Sequence, residues 1–165
     1  MASRFKGPLV AYRIADKRHP IFDGTGALLY GARWNSQGLS VIYAAISYAG
    51  AMLEKLAQSG RLGDIPKSHQ SIKIHVPETV EIEEVGVDDL PGWNLPDLIE
   101  SKKYGDKWIQ EKRTAVLIVP SVIAPEEKNV LLNPIQPDFK KIKSSEPKDV
   151  IWDPRLFHPK NSKHR

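Results

Sequence analysis

Gly31-Ala32-Arg33-Trp34-Asn35, Val41-Ile42-Tyr43-Ala44-Ala45 and Ala51-Met52-Leu53-Glu54 follow one another along the chain. Each piece sets one polar group, Arg33, Tyr43 or Glu54, on a small or apolar background. Ser40 to Ala45 reads as a buried strand, because β-branched and small residues run without a charge. Ser47 can cap a helix from Tyr48 to Gln58, and Gly60 is a plausible stop. A strand leading into a carboxylate-bearing helix, beside a loop with a guanidinium, could bring a cation, a phenol and a carboxylate into one cleft.

Outward from this stretch, strand signals outnumber helix signals. Leu9 to Ile14 is short and apolar-rich, and Asp23 to Gly26 is a turn signal. Ser71 to Val76 alternates Ile72, Ile74 and Val76 on one face. Thr79 to Val85 predicts a strand with Val80 and Ile82 inward. Asp97 to Arg113 predicts a helix that Gly105 could interrupt. Ala115 to Val119 is all apolar, as in a central strand. Asn129 to Leu132, Phe139 to Ile142 and Val150 to Trp152 predict further short strands. Many strands with two or three helices, lacking regular βαβ alternation, indicate an α+β domain.

Composition bounds the rest. At 165 residues, 41% hydrophobic and 27% charged, the chain fits one domain with a sizeable core. No apolar run approaches the ~20 residues that span a bilayer, and Met1 to Lys6 is not followed by an apolar signal core. Zero cysteines exclude disulfides, thiolate metal sites and a cysteine nucleophile. A cytoplasmic protein with no membrane association is the expectation. The formal charge of +4 is uneven: Lys140 to Arg165 carries eight Lys/Arg against three Asp/Glu, a net of +5, and the remainder is near neutral. The basic end, including residues 158–165, could touch nucleic acid or could be a solvated, frayed terminus. The body of the domain gives no electrostatic reason to expect nucleic acid.

The helical spacing of Ala49, Met52, Leu53 and Leu56 predicts their side chains as the core stripe of the second element. Glu54 then lies away from that stripe, ringed by Gly50, Ala51, Ala57 and Gln58. It could face a ligand or simply water. Arg33 could fork onto phosphate oxygens or lie on the surface. Tyr43 could stack on a base or fill the core, and Tyr12-Arg13 is a similar pair. Ser121 follows a central strand, at a sheet end where sites are often built. Asn129 and Asn133 could pin loops. The chain has no GxGxxG, P-loop or HExxH, and His19, His69, His75, His158 and His164 lack metal-ligand spacing. No metal site is expected.

In order, Tyr12-Arg13-Ile14, Gly24-Thr25-Gly26, Gly31 to Asn35, Gly38, Val41 to Ala45, Ala51 to Glu54, Pro120-Ser121 and Asn129 to Pro134 resemble the RES-domain family, the toxins of RES–Xre toxin–antitoxin pairs. Asp153 to Phe157 is similar to the family's closing strand. The likeness runs from about residue 9 to 157. It implies an ADP-ribosyltransferase-like split β-sandwich with a few flanking helices, in one domain. Arg33, Glu54 and Ser121 fall on the positions that give the family its name, with Tyr43 on an accompanying tyrosine. The resemblance implies NAD+ as substrate, with no separate cofactor, and a cognate Xre-type antitoxin as partner. Cleavage of the nicotinamide–ribose bond by hydrolysis or phosphorolysis is the implied reaction, and protein ADP-ribosylation is the alternative.

The resemblance implies that Glu54 steadies the ribose as positive charge develops, and that Arg33 holds the pyrophosphate. Tyr43, Ser121, Arg13 and Asn129 are expected to line the substrate site. Two other classes remain at this level: a nucleic-acid-binding or RNA-cleaving toxin using the basic end, and a catalytically silent binding module.

Overall fold

The computed structural model describes residues 1–59 and 66–157. The strands are β1 (Ser3–Lys6), β2 (Leu9–Asp16), β3 (Ile42–Ala45), β4 (His69–Val76), β5 (Glu81–Glu84), β6 (Val116–Pro120), β7 (Lys128–Leu132), β8 (Lys143–Ser144) and β9 (Lys148–Asp149). The helices are α1 (Thr25–Tyr30), α2 (Tyr48–Ser59) and α3 (Ile99–Glu111). The strands form one sheet ordered β1-β5-β6-β7-β3-β2-β4-β8, with β9 also paired to β4. Among the described residues, only β5 and β6 run parallel, and α3 lies in the connection between them. The domain is mixed α+β, as the strand-rich pattern predicts.

The sheet is continuous but nearly cut in two. β3 pairs with β7 over four residues, and β2 pairs with β4 over eight. β2 and β3 meet through a single pair, Tyr12 with Ala45. The halves fold toward each other and enclose the main core. Ile42, Ala44, Val116, Ile118, Val130 and Leu132 meet Ala11, Ile72, Ile74 and Val76 there. The other face of the larger half carries Val41, Leu117, Val119 and Leu131, buried with Trp34, Trp93, Trp108 and Ile109. The outer face of the smaller half carries Ile14, packed with Ala51, Val150 and Trp152. Alternate residues of β3, β6 and β7 thus serve two cores, which explains their unbroken apolar runs.

Several expected elements differ. Asp23 to Gly26 does not remain a turn: the Asp23 carboxylate accepts from Thr25 N at 2.6 Å, and Thr25 opens α1. That helix buries none of its residues, so no apolar period announces it. Phe139 to Ile142 is not a strand. Pro137 and the capping side chain of Gln136 start a 3-10 turn over Pro137–Lys141 instead. Val150 to Trp152 is not a strand either; Lys148–Asp149 supplies the pairing, and Val150 and Trp152 pack under α2. The closing segment is a 3-10 turn at Pro154–Leu156, capped by Asp153. α3 runs through Gly105 without a break. β1 lay below sequence detection because all four of its residues are exposed. Gly60 and residues 158–165 lie outside the described residues. Among the described residues, no helix is long and apolar enough to cross a membrane.

One buried carboxylate ties the β5–β6 side to the end of α3. Glu83 accepts from Arg113 Nη2 at 2.8 Å and Nε at 3.1 Å, and from the Tyr104 hydroxyl, with Arg4 at 3.6 Å. Burial pushes the Glu83 carboxyl up, but the hydrogen bonds from Arg113 and Tyr104 outweigh it, so it titrates below the usual range. Burial, reinforced by Glu83, pushes the Tyr104 phenol up to about 12.

A carboxyl lowered by folding stabilises the fold above its unfolded value, near ~4.3, and loses that contribution as pH falls through the lowered value. Urea titrations from pH 7 to pH 3 should therefore show a steeper acid loss for the wild-type chain than for Glu83→Gln. At pH 7, Glu83→Gln should cost about 1.5–3 kcal/mol. Parallel pH profiles would exclude Glu83 as a source of acid lability.

Candidate functional site

Where β2 and β3 part, the ladder would leave strand carbonyls without partners. Arg13 fills the gap: Nη1 donates to Tyr43 O at 2.7 Å and Nε to Ile21 O at 2.6 Å, with Nη2 at 3.4 Å from Asp23 O. Its guanidinium acidity is raised by burial and partly restored by Asp23, so its pKa lies below the ordinary arginine value. It keeps its charge, and all its hydrogen bonds among the described residues go to carbonyls. The positive field is therefore available to whatever lies in the opening.

α2 projects Glu54 into this opening, on a face the sequence pattern did not assign to packing. Half of the expected core stripe holds: Met52 and Leu56 pack on the Trp152 cluster, whereas Ala49 is exposed and Leu53 is 40% exposed, and Gly50 and Ala51 are the buried residues. Small residues go inward because the helix backbone rides close to the sheet; a Cβ on Gly50 would stand 3.5 Å from Ala45 Cβ. Glu54 stands one turn beyond Gly50 and Ala51 and shares their face.

Ser47 caps α2 as expected, accepting from Gly50 N at 2.9 Å. Its hydroxyl donates in turn to Glu127 at 3.0 Å. Glu127 belongs to the same turn as Ser121, whose N–H donates to Glu127 O. The start of α2 is thereby tied to the segment that carries the serine. Glu54 Oε1 then accepts from Ser121 Oγ and from Asn129 Nδ2, each at 2.7 Å. Ser121 Oγ also accepts from Ala124 N, so its proton is directed to the carboxylate. Among the described residues, Oε2 of Glu54 has no hydrogen-bond partner.

Arg33 comes from a loop built around Asn35. Asn35 is fully buried; Nδ2 donates to Ala27, Ser36 and Leu39 carbonyls, and Oδ1 accepts from the Tyr43 hydroxyl at 2.8 Å. That hydroxyl also accepts from Trp34 N. Burial raises the Tyr43 phenol pKa far above its ordinary value. Its hydroxyl is therefore committed to the loop, and its ring is what it offers the cleft. Asp106 on α3 accepts from Ser36 N at 2.7 Å and Ser36 Oγ at 2.5 Å. The Arg33 guanidinium rests on Trp93 O and Leu95 O through Nη1, at 3.1 Å each. Its Nε and Nη2 make no hydrogen bond among the described residues.

These groups line one cleft of about 530 Å³, within the range of small-molecule sites. Arg13, Arg33, Tyr43, Glu54 and Asn129 all face it. A smaller pocket of about 60 Å³ shares Arg13, Tyr43, Glu54 and Asn129 and adds Lys55. Burial, then Arg13, lowers the Lys55 ammonium pKa. Ser121 stands behind Glu54, holding it. Sequence reasoning missed Asn35, Asp106, Glu127 and Lys55. Only the Asn35 side chain, after the Trp34 of the opening stretch, had any signal, and that was as a member of a motif. Among the described residues, no cluster of three His, Asp or Glu side chains is placed to hold a metal.

The Arg33 loop leans on α3 at Gly105, where a Cβ would stand 1.8 Å from Trp34 O. Gly105→Ala should therefore destabilise the chain by about 1–3 kcal/mol in chemical denaturation, through overpacking against backbone. An unchanged midpoint would show that the loop can move away from α3 freely.

The sequence comparisons agree with this architecture. The family model described as RES domain matches residues 10–153. The chain is 41% identical over 138 residues to a protein of Sphingobium sp. (strain YBL2) named Prs ADP-ribosylating toxin, covering 81% of this chain and 85% of that one. It is 34% identical over 157 residues to Toxin Res of Photorhabdus laumondii subsp. laumondii, covering 92% and 99%. Among solved structures, a chain of the M. tuberculosis MbcT–MbcA toxin–antitoxin complex superposes with a TM-score of 0.64 at 16% identity, over 89% of this chain and 86% of that one. That likeness shows the fold. With residues 10–153 matched, from the start of β2 to the residue after Trp152, the chain belongs to the RES domain family.

Proposed function

We propose that this chain is the toxin of a toxin–antitoxin pair and cleaves the nicotinamide–ribose bond of NAD+ at Glu54. The observation that carries the reading is the carboxylate held through Oε1 by Ser121 and Asn129, at 2.7 Å each, in a cleft shared with two guanidinium groups. The name of the Sphingobium relative and membership in the family support it.

Breaking the bond between nicotinamide N1 and ribose C1′ sends the electron pair to the nicotinamide, which leaves neutral. Positive charge moves to the ribose ring, as in glycoside hydrolysis. No proton need be delivered to the leaving group. A fixed carboxylate beside the ring attracts this charge more in the transition state than in the ground state. Ser121 and Asn129 hold Oε1 before the reaction begins, and Oε2 is left for the ribose. Arg33 binds pyrophosphate oxygens through Nε and Nη2, while its anchored Nη1 restricts its motion. Arg13 adds positive potential from the floor. An acceptor then takes C1′ and releases its proton to solvent.

A second reading concerns that acceptor. The relative at 41% identity is named Prs ADP-ribosylating toxin, and a name for ADP-ribosylation supports transfer to an acceptor other than water, for which a protein side chain is the candidate. The structural neighbour comes from a toxin–antitoxin complex, which supports a partner protein that neutralises this chain, and an Xre-type protein is the proposed candidate.

Purified protein incubated with NAD+ should release nicotinamide. Glu54→Gln should lower kcat about 10²–10³-fold with the fold intact, since it removes charge and little volume. Arg33→Ala should raise KM more than it lowers kcat. Release in buffer alone, with or without phosphate, indicates a small acceptor; release that needs added cell protein, with label from the adenylate half becoming protein-bound, indicates ADP-ribosylation. No release under any of these conditions, or full activity in Glu54→Gln, would reject the assignment.

A further inference from the structure

We propose that Tyr30 forms a stacking wall for the adenine base of a nucleoside diphosphate at the mouth of the cleft. The proposal rests on the NAD+ reading above and assigns the half of the substrate that the reaction leaves unchanged.

The cleft is lined by charged groups and by exposed apolar surface. Arg13, Glu54 and Asn129 border its junction with the smaller pocket. Elsewhere its lining includes Tyr30, Ala57, Val122 and Ile123 together with Asp23 and Arg33. Tyr30 is 83% exposed and makes neither a hydrogen bond nor an aromatic pair among the described residues. Tyr43, the other tyrosine of the cleft, is held by Trp34 and Asn35. Val122 and Ile123, from the turn after β6, are also exposed. Three large side chains that keep exposed apolar surface thus line a concave site, an arrangement that favours an apolar ligand group.

The spacing along the chain suits a nucleotide. Tyr30 precedes Arg33 by three residues, which limits their Cα separation to about 10 Å even in extended chain. Gly31, with φ of 67°, turns the chain at the end of α1, and Ala32 adds no bulk between the ring and the guanidinium. A diphosphate on Arg33 therefore leaves its nucleoside within reach of Tyr30. An uncharged purine offers two π faces and no charge to pair, which matches a tyrosine ring and aliphatic side chains better than further cations. α1 buries none of its residues, so replacing Tyr30 removes no core contact.

The test is calorimetric binding of ADP, which has the adenine and diphosphate but no bond for the enzyme to cut. Wild type should bind ADP. Tyr30→Ala and Tyr30→Leu should each weaken binding about tenfold, and Tyr30→Phe should stay within about twofold of wild type. With NAD+, Tyr30→Ala should raise KM more than it lowers kcat. No ADP binding by wild type, unchanged affinity in Tyr30→Ala, or an equal loss in Tyr30→Phe would each overturn the stacking wall. Weakened ADP binding in Tyr30→Ala, from a chain that releases no nicotinamide, would uphold the wall and reject NAD+ cleavage. Nicotinamide release with ADP affinity insensitive to Tyr30 would do the reverse.

Discussion

The separation of β2 from β3 after one residue pair is the constraint on which the rest of this structure depends. A sheet that stays fully paired has no opening between its strands. Here the ladder stops at Tyr12 and Ala45, and the guanidinium of Arg13 takes over one step later by donating to Tyr43 O. Leaving such a buried carbonyl unpaired would cost about 1–3 kcal/mol. Arginine serves because its rigid fork reaches three carbonyls on two chain segments at once: Tyr43 O on β3, and Ile21 O and Asp23 O on the approach to α1. The substitution of side chain for backbone opens the sheet and leaves a positive charge on the floor of the opening. The expected split sandwich is thus realised as one continuous sheet, almost severed.

Rigidity around the opening has a similar origin. Asn35 organises the Arg33 loop because every polar atom of its side chain is engaged within a buried site. Such satisfied networks specify one arrangement, since any other would strand buried polar groups. Asp106 and the bare backbone of Gly105 bind the loop to α3 from outside. On the opposite side, Glu127 links the start of α2 to the Ser121 turn. Arg33 and Glu54 therefore enter the cleft from supports that are each pinned to the sheet or to α3. A carboxylate that stabilises developing charge needs this fixity, because a mobile group would have to reorganise during the reaction.

Legibility followed burial. Ile72, Ile74 and Val76, or the run from Val116 to Val119, were readable because each faces one or two apolar cores. Ser47 was readable as a cap because it meets a local need of the next turn. Phe139 and Trp152 were misread: both are packed on neighbours, but proline and capping side chains, rather than apolar content, set the backbone there. The α2 stripe holds only in part, for a related reason. Met52 and Leu56 pack as their apolar content implies, but close approach of the helix backbone to the sheet selects Gly50 and Ala51, not Ala49 and Leu53, for burial and carries Glu54 inward with them.

By itself, the sequence determined the α+β class, the cap and span of α2, and the ordered motifs from Arg13 to Asn129 that mark the family. These are local or serial properties, written in spacing and residue type. Only the tertiary structure decided that Ser121 and Asn129 would converge on one oxygen of Glu54, that the Tyr43 hydroxyl would hold a loop, and that Tyr30 would stand unpartnered at the rim. Those outcomes join residues up to 75 positions apart. They arise from where the sheet opens and which polar atoms must then find partners, and no period or motif along the chain encodes that geometry.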